Sequence, residues 1–208
     1  MTMAAAGRLQ HALTRSARVE SVIRVVTDDQ EPQVSSSSSS SSTVADLTTD
    51  RLILRAWAPG EVTAVLDGAR PSHWAQDFPD EGDLVIAGLF AEHPVWLGEY
   101  GHRQIIERDS GLVVGSIGLF WPPVDGALEL GYGIVPSRRG RGYAPEATRA
   151  LSAFALTAPG VRTVHANVEL SNPASIRVLE KAGFQRKRTD TEQNTARFVL
   201  STAAPARE

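Results

Sequence analysis

The sequence predicts an α+β fold on a mixed, mostly antiparallel sheet, and three observations predict it. Segments 102–108 and 112–121 have strand character and flank Asp109-Ser110-Gly111, a tripeptide suited to a hairpin turn. Ala147, Ala150, Leu151, Phe154, Ala155 and Ala158 recur at helical spacing and form one apolar stripe. That helix lies between two strand segments, 127–135 and 161–168, and a helical crossover of this kind makes the strands it joins parallel.

The remaining elements follow in chain order. Arg51-Leu52-Ile53-Leu54-Arg55 reads as a short strand ended by Pro59 and Gly60, and residues 61–66 begin a helix. Pro71 and Pro79 bracket an irregular stretch holding His73, Trp74 and Phe78, and residues 83–91 are apolar enough for a second helix. Pro122, Pro123, Asp125 and Gly126 supply the turn between the hairpin and the next strand. Pro159-Gly160 ends the long helix, after which Val164, Ala166 and Val168 share one face of a strand. Asn172 caps a short helix with Pro173 at its first position. Gly183 fits the left-handed residue that stops it, and Phe184 folds back on the last turn. Residues 197–200 form a final strand.

Composition bounds the function. The chain has 208 residues, 42% hydrophobic and 22% charged, which excludes a wholly disordered polymer. A net charge of −3 argues against binding nucleic acid through bulk charge. With no cysteine, disulfides, thiolate zinc sites and a cysteine nucleophile are excluded. No metal is expected, since His73, His93 and His102 lack ligand spacing with each other or with nearby acids. No apolar run approaches the roughly 20 residues of a membrane helix, so a cytoplasmic protein without a membrane partner is expected. Residues 1–46 read as a disordered extension, its serine run at 35–42 serving as linker, and residues 47–208 as the folded domain. The Arg-rich, acid-poor opening also has some transit-peptide character, the alternative reading of that extension.

The most informative segment is Val135-Pro136-Ser137-Arg138-Arg139-Gly140-Arg141-Gly142-Tyr143-Ala144-Pro145-Glu146-Ala147, between a strand and an amphipathic helix. Amides at a helix start have no internal partner, and the helix dipole adds a field favourable to anions. Strand, glycine-rich loop and helix N-terminus together make a phosphate cradle, with Arg138, Arg139 and Arg141 adding charge. The segment is neither a P-loop nor a dinucleotide fingerprint, because the Gly-Lys-Ser/Thr and the required glycine spacing are both missing.

Arg139-Gly140-Arg141-Gly142-Tyr143-Ala144 resembles the R/Q-x-x-G-x-G/A signature of the GNAT superfamily of acetyl-CoA-dependent N-acetyltransferases. Downstream, Asn172-Pro173-Ala174-Ser175 followed by Leu179-Glu180-Lys181-Ala182-Gly183-Phe184 is similar to that superfamily's second helix motif. Leu47-Thr48-Thr49-Asp50-Arg51-Leu52-Ile53-Leu54-Arg55 resembles the first strand of its RimJ/RimL-like branch, the ribosomal-protein-alanine acetyltransferase type. The resemblance implies the GNAT fold, a six- to seven-stranded sheet flanked by helices with a parallel pair splayed at the cofactor site. Gly131 and Gly133 are the expected place for a bulge there.

It implies acetyl-CoA as co-substrate and an amine acceptor, either a protein N-terminus or a small molecule, in a monomer or homodimer. Amides of Arg139, Gly140, Arg141, Gly142, Tyr143 and Ala144 would hold the diphosphate. Main-chain groups of Ile134 and Val135 would pair with the pantetheine arm, and Asn172 and Ser175 would face pantetheine and the thioester sulfur. Glu129 is the expected general base, and Ser175 the proton donor to the thiolate, because Leu179 stands where many members carry tyrosine. Glu192 and Asn194 lie where the branch can carry another acid; Trp74, Phe78, Trp96 and Trp121 read most simply as core or rim aromatics, with Trp74, Phe78 and Trp121 also standing where acceptor walls form in that superfamily. His165, on an alternating strand, reads as structural or exposed. Two alternatives stand beside the enzyme: an acyl-CoA-binding module without turnover, and an RNA-contacting protein using the Arg-Gly cluster.

Overall fold

The computed structural model describes residues 44–201. The expectations for residues 1–43 lie outside them. Chain order is β1 (Leu47–Thr48), β2 (Leu52–Ala56), α1 (Pro59–Leu66), α2 (Glu81–Leu89), β3 (His102–Glu107), β4 (Val113–Leu119), β5 (Ala127–Ile134), α3 (Tyr143–Ala155), β6 (Thr163–Glu169), α4 (Pro173–Lys181), β7 (Gln185–Asp190) and β8 (Thr195–Ser201). The strands form one sheet ordered β1-β2-β3-β4-β5-β6-β8-β7. Neighbouring strands run antiparallel except β5 and β6, the pair joined through α3.

The sheet has eight strands, so two went unanticipated. β1 is only two residues long. β7, Gln-Arg-Lys-Arg-Thr-Asp, carries no apolar residue and is exposed along most of its length. It is an edge strand held by main-chain pairing to β8, and charged side chains on an edge discourage further strand addition.

Side-chain alternation assigns the helices to faces. Ser116 on β4 reaches Asp83 of α2, whereas Tyr132 on β5, the register partner of Ile117, reaches Ser175 of α4. Helices α2 and α4 therefore cover opposite faces. The α3 stripe lies against the α4 side: Ala147, Leu151 and Ala155 are fully buried with Leu128, Leu130, Val164 and Ala166 of the parallel strands. Each buried leucine of this kind contributes about 1.5–3 kcal/mol. On the other face Trp57, Trp74, Phe78 and Phe90 pack in tilted and edge contacts under α1 and α2. Trp74 and Phe78 are thus core residues rather than walls of an acceptor site. Trp121 stacks on Tyr100 with ring centroids 4.9 Å apart.

Candidate active site

β5 ends in a 3-10 turn at Pro136–Arg138, and the chain then loops to Gly142, the N-cap of the 13-residue helix α3. Gly140 and Gly142 have φ of +79° and +80°, a region that side-chain-bearing residues avoid. A Cβ on Gly140 would meet nothing within 4 Å, and one on Gly142 only Arg51 Nη2 at 3.4 Å. Backbone handedness, not crowding, demands these glycines, and the space over them is open. The amides of Gly140, Arg141, Gly142, Tyr143 and Ala144 bond to no atom among the described residues, whereas that of Arg139, expected in the same row, donates to the Pro136 carbonyl at 3.3 Å. Pro145, next along, has no N–H to satisfy. Unbonded donors at a helix N-terminus are suited to an anion.

Side chains around the loop hold it in this orientation. Arg51 donates from Nη1 to the Arg141 carbonyl at 2.8 Å and from Nη2 to the Gly142 carbonyl at 3.4 Å. Its Nε bonds Glu146 at 2.8 Å, and Glu146 also accepts from Thr49 Oγ1 and the Arg51 amide. Asp77 takes both the amide and the hydroxyl of Ser137 at 2.7 Å. The three arginines are engaged as well. Arg139 donates to the Ile134 carbonyl at 2.8 Å and to Asp80 at 2.9 Å. Arg138 and Arg141 lie 3.5 and 3.3 Å from Glu107, which also accepts from Tyr143 at 2.5 Å and from Ser110 at 2.6 Å. Burial pushes the Glu107 carboxyl up, but the Ser110 and Tyr143 hydroxyls and the two guanidinium groups outweigh it and hold it below the usual range. The arginines therefore buttress the loop through these contacts, and its main-chain amides stand unbonded beside them.

β5 pairs with β6 only from Ala127↔Thr163 to Glu129↔His165. Beyond that point β5 continues on β4 as far as Ile134↔Gly115, and β6 on β8 as far as Glu169↔Thr195. The two strands part after Glu129, and the gap opens towards the cradle. No bulge accompanies the parting, contrary to the expectation at Gly131 and Gly133: the β4–β5 register is unbroken there, and a register shift falls between Ile105 and Ile106 instead. Main-chain groups alternate between the two sides of β5. The Glu129 carbonyl and the Val135 amide bond to β4, so the even-numbered residues Tyr132 and Ile134 face the gap. This corrects Val135, whose amide bonds the Val114 carbonyl and whose carbonyl accepts from Arg138, each at 3.0 Å. Ile134 retains its amide for the gap while its carbonyl takes Arg139.

A cleft of about 310 Å³ lies between the cradle and α4, lined among others by Tyr132, Ile134, Gly142, Ser175, Arg177 and Lys181. Ser175 is buried. Its amide donates to Asn172 Oδ1 at 3.0 Å, its carbonyl accepts from the Tyr132 hydroxyl at 3.2 Å, and its own hydroxyl has no partner. Burial pushes the Tyr132 phenol up, keeping it protonated. Asn172 acts as the helix cap and does not line the cleft; Leu179 is fully buried in the core. Tyr132, Arg177 and Lys181 were not among the expected site residues. The signal for the last two was present: Ala174, Arg177, Val178 and Lys181 form one helical stripe, and all four face the cleft.

Glu129 lies on the other face of β5 from Tyr132, at the vertex of the gap and 2% exposed. Its Oε1 accepts from Asn167 Nδ2 at 3.1 Å, and its Oε2 is 3.8 Å from His165 Nε2. His165 is buried rather than exposed. Glu192 and Asn194 belong to the β7–β8 turn, where Asn194 adopts φ +52° and its carbonyl accepts from Leu170.

Residues 51–185 match the acetyltransferase (GNAT) domain. The chain belongs to the GNAT family. Among curated relatives, the uncharacterized N-acetyltransferase YjdG of Bacillus subtilis is 35% identical over 81 residues, covering 38% of this chain and 48% of that protein. YoaA of the same organism, also described as an uncharacterized N-acetyltransferase, is 27% identical over 147 residues, 68% of this chain and 83% of its own. The match thus spans about half the length of YjdG and most of YoaA. An acetyltransferase of Agrobacterium tumefaciens superposes with a TM-score of 0.57 at 23% identity, covering 84% of this chain and 100% of that one. Spermidine N-acetyltransferase of Vibrio cholerae, solved with CoA and spermine, gives 0.53 at 17% identity over 74% and 96% of the two chains. These likenesses show the GNAT fold.

Proposed function

We propose that this protein moves an acetyl group from acetyl-CoA to a primary amine by direct attack in a ternary complex. The observation that carries the reading is the row of unbonded amides at residues 140–144, opening onto a cleft where two strands part. Open space over two left-handed glycines and an orphaned buried hydroxyl on Ser175 fit the diphosphate and thioester ends of that carrier. Amides of residues 140–144 bind the diphosphate, and the Tyr132 and Ile134 edge of β5 takes the pantetheine amides as an added strand would. Acetyl-CoA supplies the activated acyl group.

The acceptor amine is protonated at neutral pH and must lose a proton before its lone pair is available. Glu129, at the vertex, accepts that proton from one face of β5. Ser175 stands on the other face, next to Tyr132, where its hydroxyl donates to the departing sulfur. The acceptor is a small amine or a protein N-terminus, and the spermine bound by the Vibrio enzyme makes polyamines the first probe.

Leu179, buried where a tyrosine donor is common, favours a second reading in which the domain binds acyl-CoA without turnover. Thiol release from acetyl-CoA with spermidine and with alanyl and seryl peptides separates the two. Amine-dependent release is expected. Binding of acetyl-CoA with no release from any amine establishes the second reading.

A further inference from the structure

We infer that His165 is the positioning residue for the proton-accepting carboxylate: with Glu129 it forms one buried unit at the vertex of the split sheet, and this unit sets how readily the carboxylate takes a proton. The inference rests on the acetyl-transfer reading above and assigns a role to a residue outside the expected site.

Glu129 and His165 are register partners in the last position at which β5 and β6 pair. Partners on adjacent parallel strands project from the same face, and here both side chains are buried, 2% and 4% exposed, with Oε2 and Nε2 3.8 Å apart. Asn167, two residues along β6 on that face, donates to the other carboxylate oxygen. Both oxygens of Glu129 thus face polar side chains of β6. The strand divides cleanly: Val164, Ala166 and Val168 are buried on the α3 face, while His165 and Asn167 present polar groups to Glu129. A buried carboxylate is costly unless neighbouring donors stabilise its charge.

The same face carries Glu169 further along β6, Val199 opposite His165 and Arg197 opposite Asn167 on β8, and Arg188 and Asp190 on the edge strand β7. Towards β4 and β3 the face carries Ser116, bonded to Asp83 of α2, and His102 beside Gly118. In the reaction the ammonium gives its proton to Glu129, and the freed nitrogen lone pair forms a bond to the thioester carbonyl carbon. As the tetrahedral adduct collapses, the carbon–sulfur bond breaks and the sulfur leaves with its electron pair; the Ser175 hydroxyl protonates the sulfur, and the second nitrogen proton, lost as the neutral amide forms, restores the proton on Ser175 through solvent. His165 touches no reacting atom. At 3.8 Å the Nε2 edge acts on Oε2 as a nearby positive charge or dipole rather than as a hydrogen-bond donor, favours the carboxylate form and so places the pH at which Glu129 becomes able to accept.

The test is the pH profile of kcat for whichever of spermidine, the alanyl peptide or the seryl peptide turns over. His165→Leu is expected to move the acid limb upward by about one pH unit or more, with the acetyl-CoA Kd unchanged. His165→Gln keeps an N–H donor and is expected to return the limb towards the wild-type position, whereas Glu129→Gln removes the limb and lowers kcat by about a hundredfold or more. An acid limb unmoved in His165→Leu, or displaced equally in His165→Gln, overturns the inference. A second measurement needs no variant: titration of wild-type protein followed by Glu129 13Cδ and His165 15N resonances. Shared, two-step transitions support the unit, and two independent single transitions overturn it. Failure of the acetyl-transfer reading is separate, since wild-type protein would then release no thiol while the resonances still judge the pair.

Discussion

Arg51, just ahead of β2, grips the Gly142 loop from behind, its two terminal nitrogens bonded to the carbonyls of Arg141 and Gly142. A peptide unit whose carbonyl is pinned on one side presents its N–H on the other. The orientation of the cradle therefore depends on a residue about ninety positions away in sequence, itself fixed by Glu146 in the first turn of α3.

Arg51→Ala releases both carbonyls and leaves Glu146 without its cation. The expected outcome is a rise in acetyl-CoA Kd of about tenfold, corresponding to about 1.4 kcal/mol, with kcat little changed at saturation. Isothermal titration and saturation kinetics on the one variant check both parts.

Arg177 and Lys181 face the cleft from α4, and no ion pair engages either among the described residues. Replacing both by Gln should weaken acetyl-CoA binding and flatten its dependence on salt, because exposed charges act through a screened field. Titrations at about 0.05 and 0.5 M salt read the difference, and identical salt slopes in both proteins would remove the two cations from the binding surface.

Asp83 is buried at N3 of α2, where desolvation raises its carboxyl to about 6 against the lowering effect of the Ser116 hydroxyl. The folded state then binds more protons than the unfolded state between about pH 4 and 6, so stability falls as pH rises through that window. Asp83→Asn should flatten the stability profile there by up to about 3 kcal/mol, the equivalent of a two-unit shift. Urea unfolding at intervals across the window gives the slope directly.

Gly118 leaves room for the His102 ring, which a Cβ at that position would overlap. His102 is fully enclosed, and burial lowers it to about 3, so it stays neutral in the folded protein. Gly118→Ala forces the ring or the strand aside and is expected to cost about 1–3 kcal/mol. Chemical denaturation measures it, and because His102 is neutral when folded but free to protonate when unfolded, the stability of both proteins is expected to fall as pH drops below about 6.5.

Elements that bury a face were legible in the sequence, because burial imposes period. The α3 stripe, the hairpin about Gly111 and the crossover to β6 all follow from apolar spacing and turn chemistry. β7 was not legible, since its strand state comes from pairing with β8 and not from its own side chains. The conformation of the loop ahead of α3 was legible because Gly140 and Gly142 mark the left-handed backbone it adopts. Its supports were not: Asp77, Asp80 and Glu107 reach it from distant segments, and their meeting with Ser137, Arg139 and Arg141 is tertiary. Val135 illustrates the same limit, for which side of a strand a main-chain group faces depends on a partner the local sequence does not name.

On the function proposed above, the main-chain amides of residues 140–144 bind the diphosphate of acetyl-CoA. Calorimetric titration of wild-type protein and of Gly142→Val with acetyl-CoA tests it most directly, because φ +80° at position 142 is incompatible with a β-branched residue. Saturable binding is expected of the wild type, and of the variant a loss of at least about a hundredfold in affinity with the cooperative thermal transition retained. Equal affinity in the two proteins, or no heat from the wild type at millimolar acetyl-CoA, would contradict it.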